Sequence, residues 1–122
     1  MLLAVIAATA LALPTGPSAS EQAQLSSYCS KSGDLCYGVF RKAGVVSFKL
    51  TLAAKYFPRY RLCVRKLGQA RVCKSFRVRK TGAQWGGTVN FAKNFRHKPG
   101  TYRVSWWQGT TNRFGPPLTF RA

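Results

Sequence analysis

Acidic side chains are almost missing from this chain: Glu21 and Asp34 stand against 20 lysines and arginines, for a formal charge of +18. Histidine occurs once, as His97. Both scarcities exclude chemistry. Glycoside hydrolysis needs paired carboxylates across the bond, and a hydrolytic triad needs a base, an orienting acid and a nucleophile on a strained elbow. Ser, His97 and Asp34 supply residue types but no such spacing, and no G-x-S-x-G is present. Zinc is disfavoured because no C-x-x-C knuckle exists and His97 is alone. In a basic loop, His97 reads as a solvated side chain. We therefore expect no enzyme, no metal and no cofactor. Nucleic-acid modules are also missing: there is no aromatic RNP pattern, no zinc-finger spacing and no basic helix, although charge alone predicts non-specific nucleic-acid binding in vitro.

No apolar run reaches the roughly 18 residues that a membrane span requires. The longest, Leu2 to Leu13, is followed by Pro14, Gly16, Pro17 and small residues, and residues 1–20 carry no charged side chain. That stretch resembles a signal peptide cut after Ser20, although it lacks a basic start; the competing reading is an uncleaved anchor. Residues 21–34 are polar and aperiodic, a lead-in tied down by Cys29. Residues 35–122 then form one domain. Four cysteines behind an export-type leader favour disulfides in an oxidising compartment, each short loop contributing roughly 2 to 3 kcal/mol.

The richest stretch runs from Arg59 to Lys80. Arg59-Tyr60-Arg61-Leu62-Cys63-Val64-Arg65 alternates strictly, which predicts a half-buried strand with Tyr60, Leu62 and Val64 inward. A second arm, Arg71 to Arg79, puts Val72, Phe76 and Val78 on one face and Arg71, Cys73, Ser75, Arg77 and Arg79 on the other, with Lys74 as the misfit. A turn centred on Gly68 sets Cys63 opposite Cys73, Val64 opposite Val72, Arg65 opposite Arg71 and Arg59 opposite Arg77. One register serves both core and disulfide. It leaves Cys29 for Cys36, although sequence keeps the other two connectivities open.

Further strands are expected at Leu35 to Phe40, at Val45 to Leu52 with Val46, Phe48, Leu50 and Leu52 inward, and around Val89 and Phe91. Lys93 to Lys98 reads as a basic loop anchored by Phe95. After the Pro99-Gly100 turn comes Thr101 to Trp106, with Tyr102, Val104 and Trp106 inward, then a hairpin turn at Gly109 to Asn112 and an edge strand containing Leu118 and Phe120. About seven short strands without a helical period predict an all-β fold, a single antiparallel two-sheet sandwich stapled by disulfides. Lys98-Pro99-Gly100-Thr101-Tyr102-Arg103-Val104-Ser105-Trp106 resembles the penultimate strand of bacterial immunoglobulin-like and fibronectin-type-III-like domains, a pattern also similar to small secreted bacterial proteins of unassigned role. The resemblance implies that Tyr102 forms a corner bonded back to the backbone. It departs from antibody domains in its hairpin disulfide and its arginine density.

The candidate site is the arginine face: Arg59, Arg61, Arg65, Arg71, Arg77 and Arg79, with Lys74, Lys80 and Arg103 as extensions. Like charges set opposite each other on neighbouring strands are destabilising by up to about 1 kcal/mol per pair, so a disulfide, salt or a bridging anion must offset them. Trp107 must point away from Trp106, and an indole beside cations can stack on a sugar or base; Trp85, beside a glycine pair, is the other exposed candidate. The expected role is non-catalytic binding of an anionic surface or polymer outside the cell, such as a cell-wall polymer, acidic polysaccharide or lipid headgroups. Alternatives are an accessory protein-interaction module and a cationic antimicrobial or toxin-like effector.

Overall fold

A computed structural model describes residues 22–95 and 98–122. Residues 1–21, on which the expected leader and its cleavage after Ser20 fall, and Arg96 and His97 lie outside the described residues. In chain order the elements are β1 (Ala23–Cys29), β2 (Leu35–Lys42), β3 (Val45–Leu52), β4 (Arg59–Lys66), β5 (Val72–Arg77), β6 (Arg79–Thr81), β7 (Gln84–Asn90), the single turn α1 (Phe91–Asn94), β8 (Thr101–Gln108), β9 (Asn112–Arg113) and β10 (Leu118–Arg121). They form two antiparallel sheets, one ordered β1-β2-β3-β7-β6 and the other β10-β8-β4-β5, with β9 hairpinned onto β8. No helix among the described residues is long and apolar enough to cross a membrane.

Alternation builds the core as expected. Val46, Phe48, Leu50 and Leu52 from β3 meet Tyr60, Leu62 and Val64 from β4 and Tyr102, Val104 and Trp106 from β8, all buried. Trp106 stacks on Tyr37 at 4.3 Å, and Phe48 meets the edges of Phe91 and Phe120 at 5.5 and 5.4 Å. Aromatic area of this kind is what a small, strongly charged domain needs to hold together. The glycine pair in β7 is required by space on two sides. Within its own sheet, a Cβ on Gly86 would lie 1.8 Å from the Leu50 carbonyl oxygen of the neighbouring β3, and across the sheets one on Gly87 would lie 2.6 Å from the Tyr60 hydroxyl.

Both disulfides form between directly opposed residues. Cys63 faces Cys73 across β4 and β5, and Cys29 faces Cys36 across β1 and β2, with Cα separations of 4.0 and 4.1 Å. The hairpin register is the one expected, including Val64 opposite Val72 and Arg59 opposite Arg77. Tyr102 also behaves as a corner: its hydroxyl donates to the Lys98 carbonyl at 2.6 Å and accepts from the Lys98 N–H at 3.0 Å.

Four expectations of secondary structure need correction. Ten strands replace seven, because β1, β6 and β9 were not anticipated. The polar lead-in is not aperiodic coil; Ala23–Cys29 within it is β1, paired along β2. The second hairpin arm is not one strand. Val78 turns into the core, its N–H donating to the Pro58 carbonyl at 2.9 Å, and the chain crosses to the other sheet as β6, where Arg79 pairs with Gly86. Phe91 is buried as expected but sits in the helical turn α1, capped by the Asn90 side chain accepting from the Lys93 N–H, rather than in a strand.

Candidate functional site

The outer face of the β10-β8-β4-β5 sheet carries the charge. Because Tyr60, Leu62 and Val64 face the core, Arg61, Cys63 and Arg65 face out; on β8 the same parity sends Arg103, Ser105 and Trp107 out. Register aligns them in rows. Arg65 lies opposite Arg103, Cys63 opposite Ser105, and Arg61 opposite Trp107, while on the far side of β8 Trp107 lies opposite Arg113.

These rows enclose a concavity of about 310 Å³. Arg65, Arg71, Arg103 and Arg113 supply four guanidinium groups to it, Cys63 and Ser105 line it between strands, and Trp107 forms one wall. The indole is fixed. Its Nε1–H donates to Ser105 Oγ at 2.8 Å, and the guanidinium carbons of Arg71 and Arg113 lie 5.3 and 6.0 Å from its ring. Planar guanidinium groups stacked on a ring lose less freedom when they bind an oxyanion, which is how a flexible arginine becomes a preorganised donor fork. The Ser105 hydroxyl accepts from the indole and keeps its own hydrogen to offer.

A second cluster lies at the other end of β4. Arg59, Arg77 and Arg79, with Lys55, surround a wider concavity of about 500 Å³ bordered by Pro58 and Val78. It has no aromatic wall. Arg59 and Arg65 are six residues apart on one strand, about 20 Å at the rise of an extended chain. Arg61 sits on the face between the two clusters, half-buried and opposite both Trp107 and Ser75.

The expected arginine face is therefore present but divided. Arg65, Arg71 and Trp107 come together, and Arg103, read as an extension, joins them. Arg79 meets Arg59 and Arg77 from the first residue of β6, where the chain has crossed to the opposite sheet. Lys74 and Lys80 do not belong: Lys74 points across Phe95, 5.5 Å from its ring, and Lys80 lies over Trp85 at 6.0 Å. Trp85 is likewise covered from its other neighbour, Lys55, at 5.6 Å. Sequence reasoning missed Arg113. The turn is one residue shorter than Gly109 to Asn112, so Gln108 pairs with Asn112 and Trp107 with Arg113. Counting outward from the longer turn sets Arg113 opposite Gln108, on the other face of the strand, which is why it was missed.

No side-chain carboxylate among the described residues stands near to neutralise this face. Among the described residues the only one is Asp34, in the β1–β2 turn of the other sheet, where its backbone bonds to Ser32 Oγ and Ala53. Among the described residues no group of three or more His, Cys, Asp and Glu side chains is placed to hold a metal ion. No protein-family model, curated protein or solved structure matches this chain.

Proposed function

We propose that this is an exported, non-catalytic module that binds an anionic polymer or surface through the arginine face of its β10-β8-β4-β5 sheet. The observation that carries the reading is the division of that face into two guanidinium clusters about 20 Å apart along β4. One small anion can occupy one cluster; only an extended polyanion or a charged surface engages both. The uncompensated charge supports it as well, since like charges held on adjacent strands gain most from a ligand that bridges them.

Two further observations support the class of domain and its setting. The order β2-β3-β7-β6 against β10-β8-β4-β5, with a tyrosine corner in β8, is what an immunoglobulin-like sandwich with an added first strand would have. Paired cysteines on both hairpins favour an oxidising compartment, which agrees with an exported protein.

The test is titration of the oxidised protein, followed by tryptophan fluorescence, with heparin, polyphosphate, polyglutamate and DNA over a range of salt. Replacing Arg65, Arg71 and Arg103 by glutamine should weaken binding at least tenfold and flatten its salt dependence, since fewer ligand charges are neutralised. Replacing Lys31, Lys42 and Lys93 removes equal charge elsewhere and should weaken it no more than two- to threefold. Equal losses in the two triple variants would reduce the face to generic electrostatics.

A further inference from the structure

The tip of the β4–β5 hairpin combines cations with exposed apolar side chains. Leu67, in the turn, is 47% exposed, and Val72, the first residue of β5, is 52% exposed. Val72 was expected in the core. It escapes because β5 is the edge of its sheet, and its inward face at this end is left uncovered. The tip is ordered rather than loose: the Leu67 N–H donates to the Thr101 carbonyl at 3.0 Å, the Gln69 N–H to the Lys66 carbonyl at 3.0 Å, and the Cys63–Cys73 bridge closes the hairpin behind.

Charge flanks this apolar tip on both sides. Gln69 and Ala70 form a crest shared by two concavities, the outer one carrying Arg65, Arg71 and Arg103, the inner one, about 140 Å³, carrying Lys66 and Lys98 beside Val72. A prong that is apolar at its end and cationic on both flanks matches the layering of an anionic bilayer, with phosphates outside and acyl chains within. A soluble polyanion would satisfy the flanks but offers nothing to Leu67 and Val72.

We infer that the β4–β5 prong docks on anionic membranes, Leu67 and Val72 entering the interfacial layer while Arg65, Arg71, Arg103, Lys66 and Lys98 contact lipid phosphates. This rests on the reading of the tip-side cluster of the arginine face as an anion site and names the surface that this cluster meets. Each flanking cation near such a surface strengthens binding by about fivefold. The apolar contacts add a part that salt does not remove.

The experiment compares oxidised wild-type protein with Leu67→Ala/Val72→Ala on vesicles of 30% phosphatidylglycerol in phosphatidylcholine, with soluble polyphosphate as the second ligand. Both changes are at exposed positions, and thermal unfolding checks that the fold is kept. The double variant should bind the vesicles about thirtyfold more weakly, the effect of half-inserting the carbons removed, and should bind polyphosphate within twofold of wild type. A Leu67→Trp variant should bind the vesicles and be quenched by brominated acyl chains more than wild type.

Vesicle binding unchanged in the double variant, or no added quenching at position 67, would overturn the insertion. Wild type that binds polyphosphate but not these vesicles would overturn the membrane inference and leave the anion-binding function standing. Wild type that binds neither would overturn both.

Discussion

Tyr60 shows how one side chain ties stability to pH. Its ring is buried between the sheets with its hydroxyl against Gly87, and burial pushes its pKa up to about 12 from the ordinary 10. Tyr37, whose hydroxyl donates to the Pro116 carbonyl at 2.6 Å, is likewise raised to about 12, by burial first and the neighbouring Tyr28 second, with Arg113 pulling the other way. A raised phenol favours folding only while it is protonated in both states. Below pH 10 neither tyrosine makes stability vary with pH. Between 10 and 12 the unfolded chain sheds the proton first, so stability falls by up to about 1.4 kcal/mol per pH unit for each ring. Lysines also lose charge in that range, which relieves self-repulsion, so the comparison with Tyr60→Phe isolates the ring. Urea unfolding from pH 9 to 12 should give Tyr60→Phe a shallower decline than wild type.

At the scale of elements, β5 is the strand most dependent on a covalent tie. Its hydrogen-bonded neighbour is β4 alone, and Arg59 opposite Arg77 works against that pairing. Replacing Cys63 and Cys73 by alanine should lower stability by roughly 2 to 3 kcal/mol in urea titration. It should also weaken polyanion binding, because Arg71 and Arg77 travel with β5. Removing Cys29 and Cys36 should destabilise to a similar extent and leave binding unchanged.

The same elements explain what was legible in the sequence. Strict alternation over Tyr60–Val64 and Val46–Leu52, with a central glycine turn, fixes both face and register, and so the disulfide. The first strand was hidden because a bulge between Gln24 and Ser26 shifts its register, and a bulged edge strand has no single parity to read. The arginine face was legible at both ends of the hairpin, where the expected register sets Arg65 opposite Arg71 and Arg59 opposite Arg77. What was hidden is the change of sheet after Val78 that carries Arg79 into β6, because the alternation has the same period whether the chain continues in one sheet or changes to the other. Lys74, the misfit, was the one local sign that β5 has an uncovered inner side.

Across the whole molecule, the two sheets are fastened along one margin by side chains and along the other by the chain itself. Arg41 Nη2 donates to the Arg121 carbonyl at 2.6 Å and joins β2 to the end of β10, while at the opposite margin β5 runs into β6 through Val78. The margin of β5 beside that crossing still presents unpaired backbone groups to solvent, a template onto which a strand of a second molecule could add. Its arginines hold such a molecule off. The charge therefore acts as a guard against self-assembly, and any polyanion that neutralises it removes the guard. Light scattering should show a monodisperse protein at low salt, clusters when polyphosphate is added below charge equivalence, and dispersal again when the polymer is in excess.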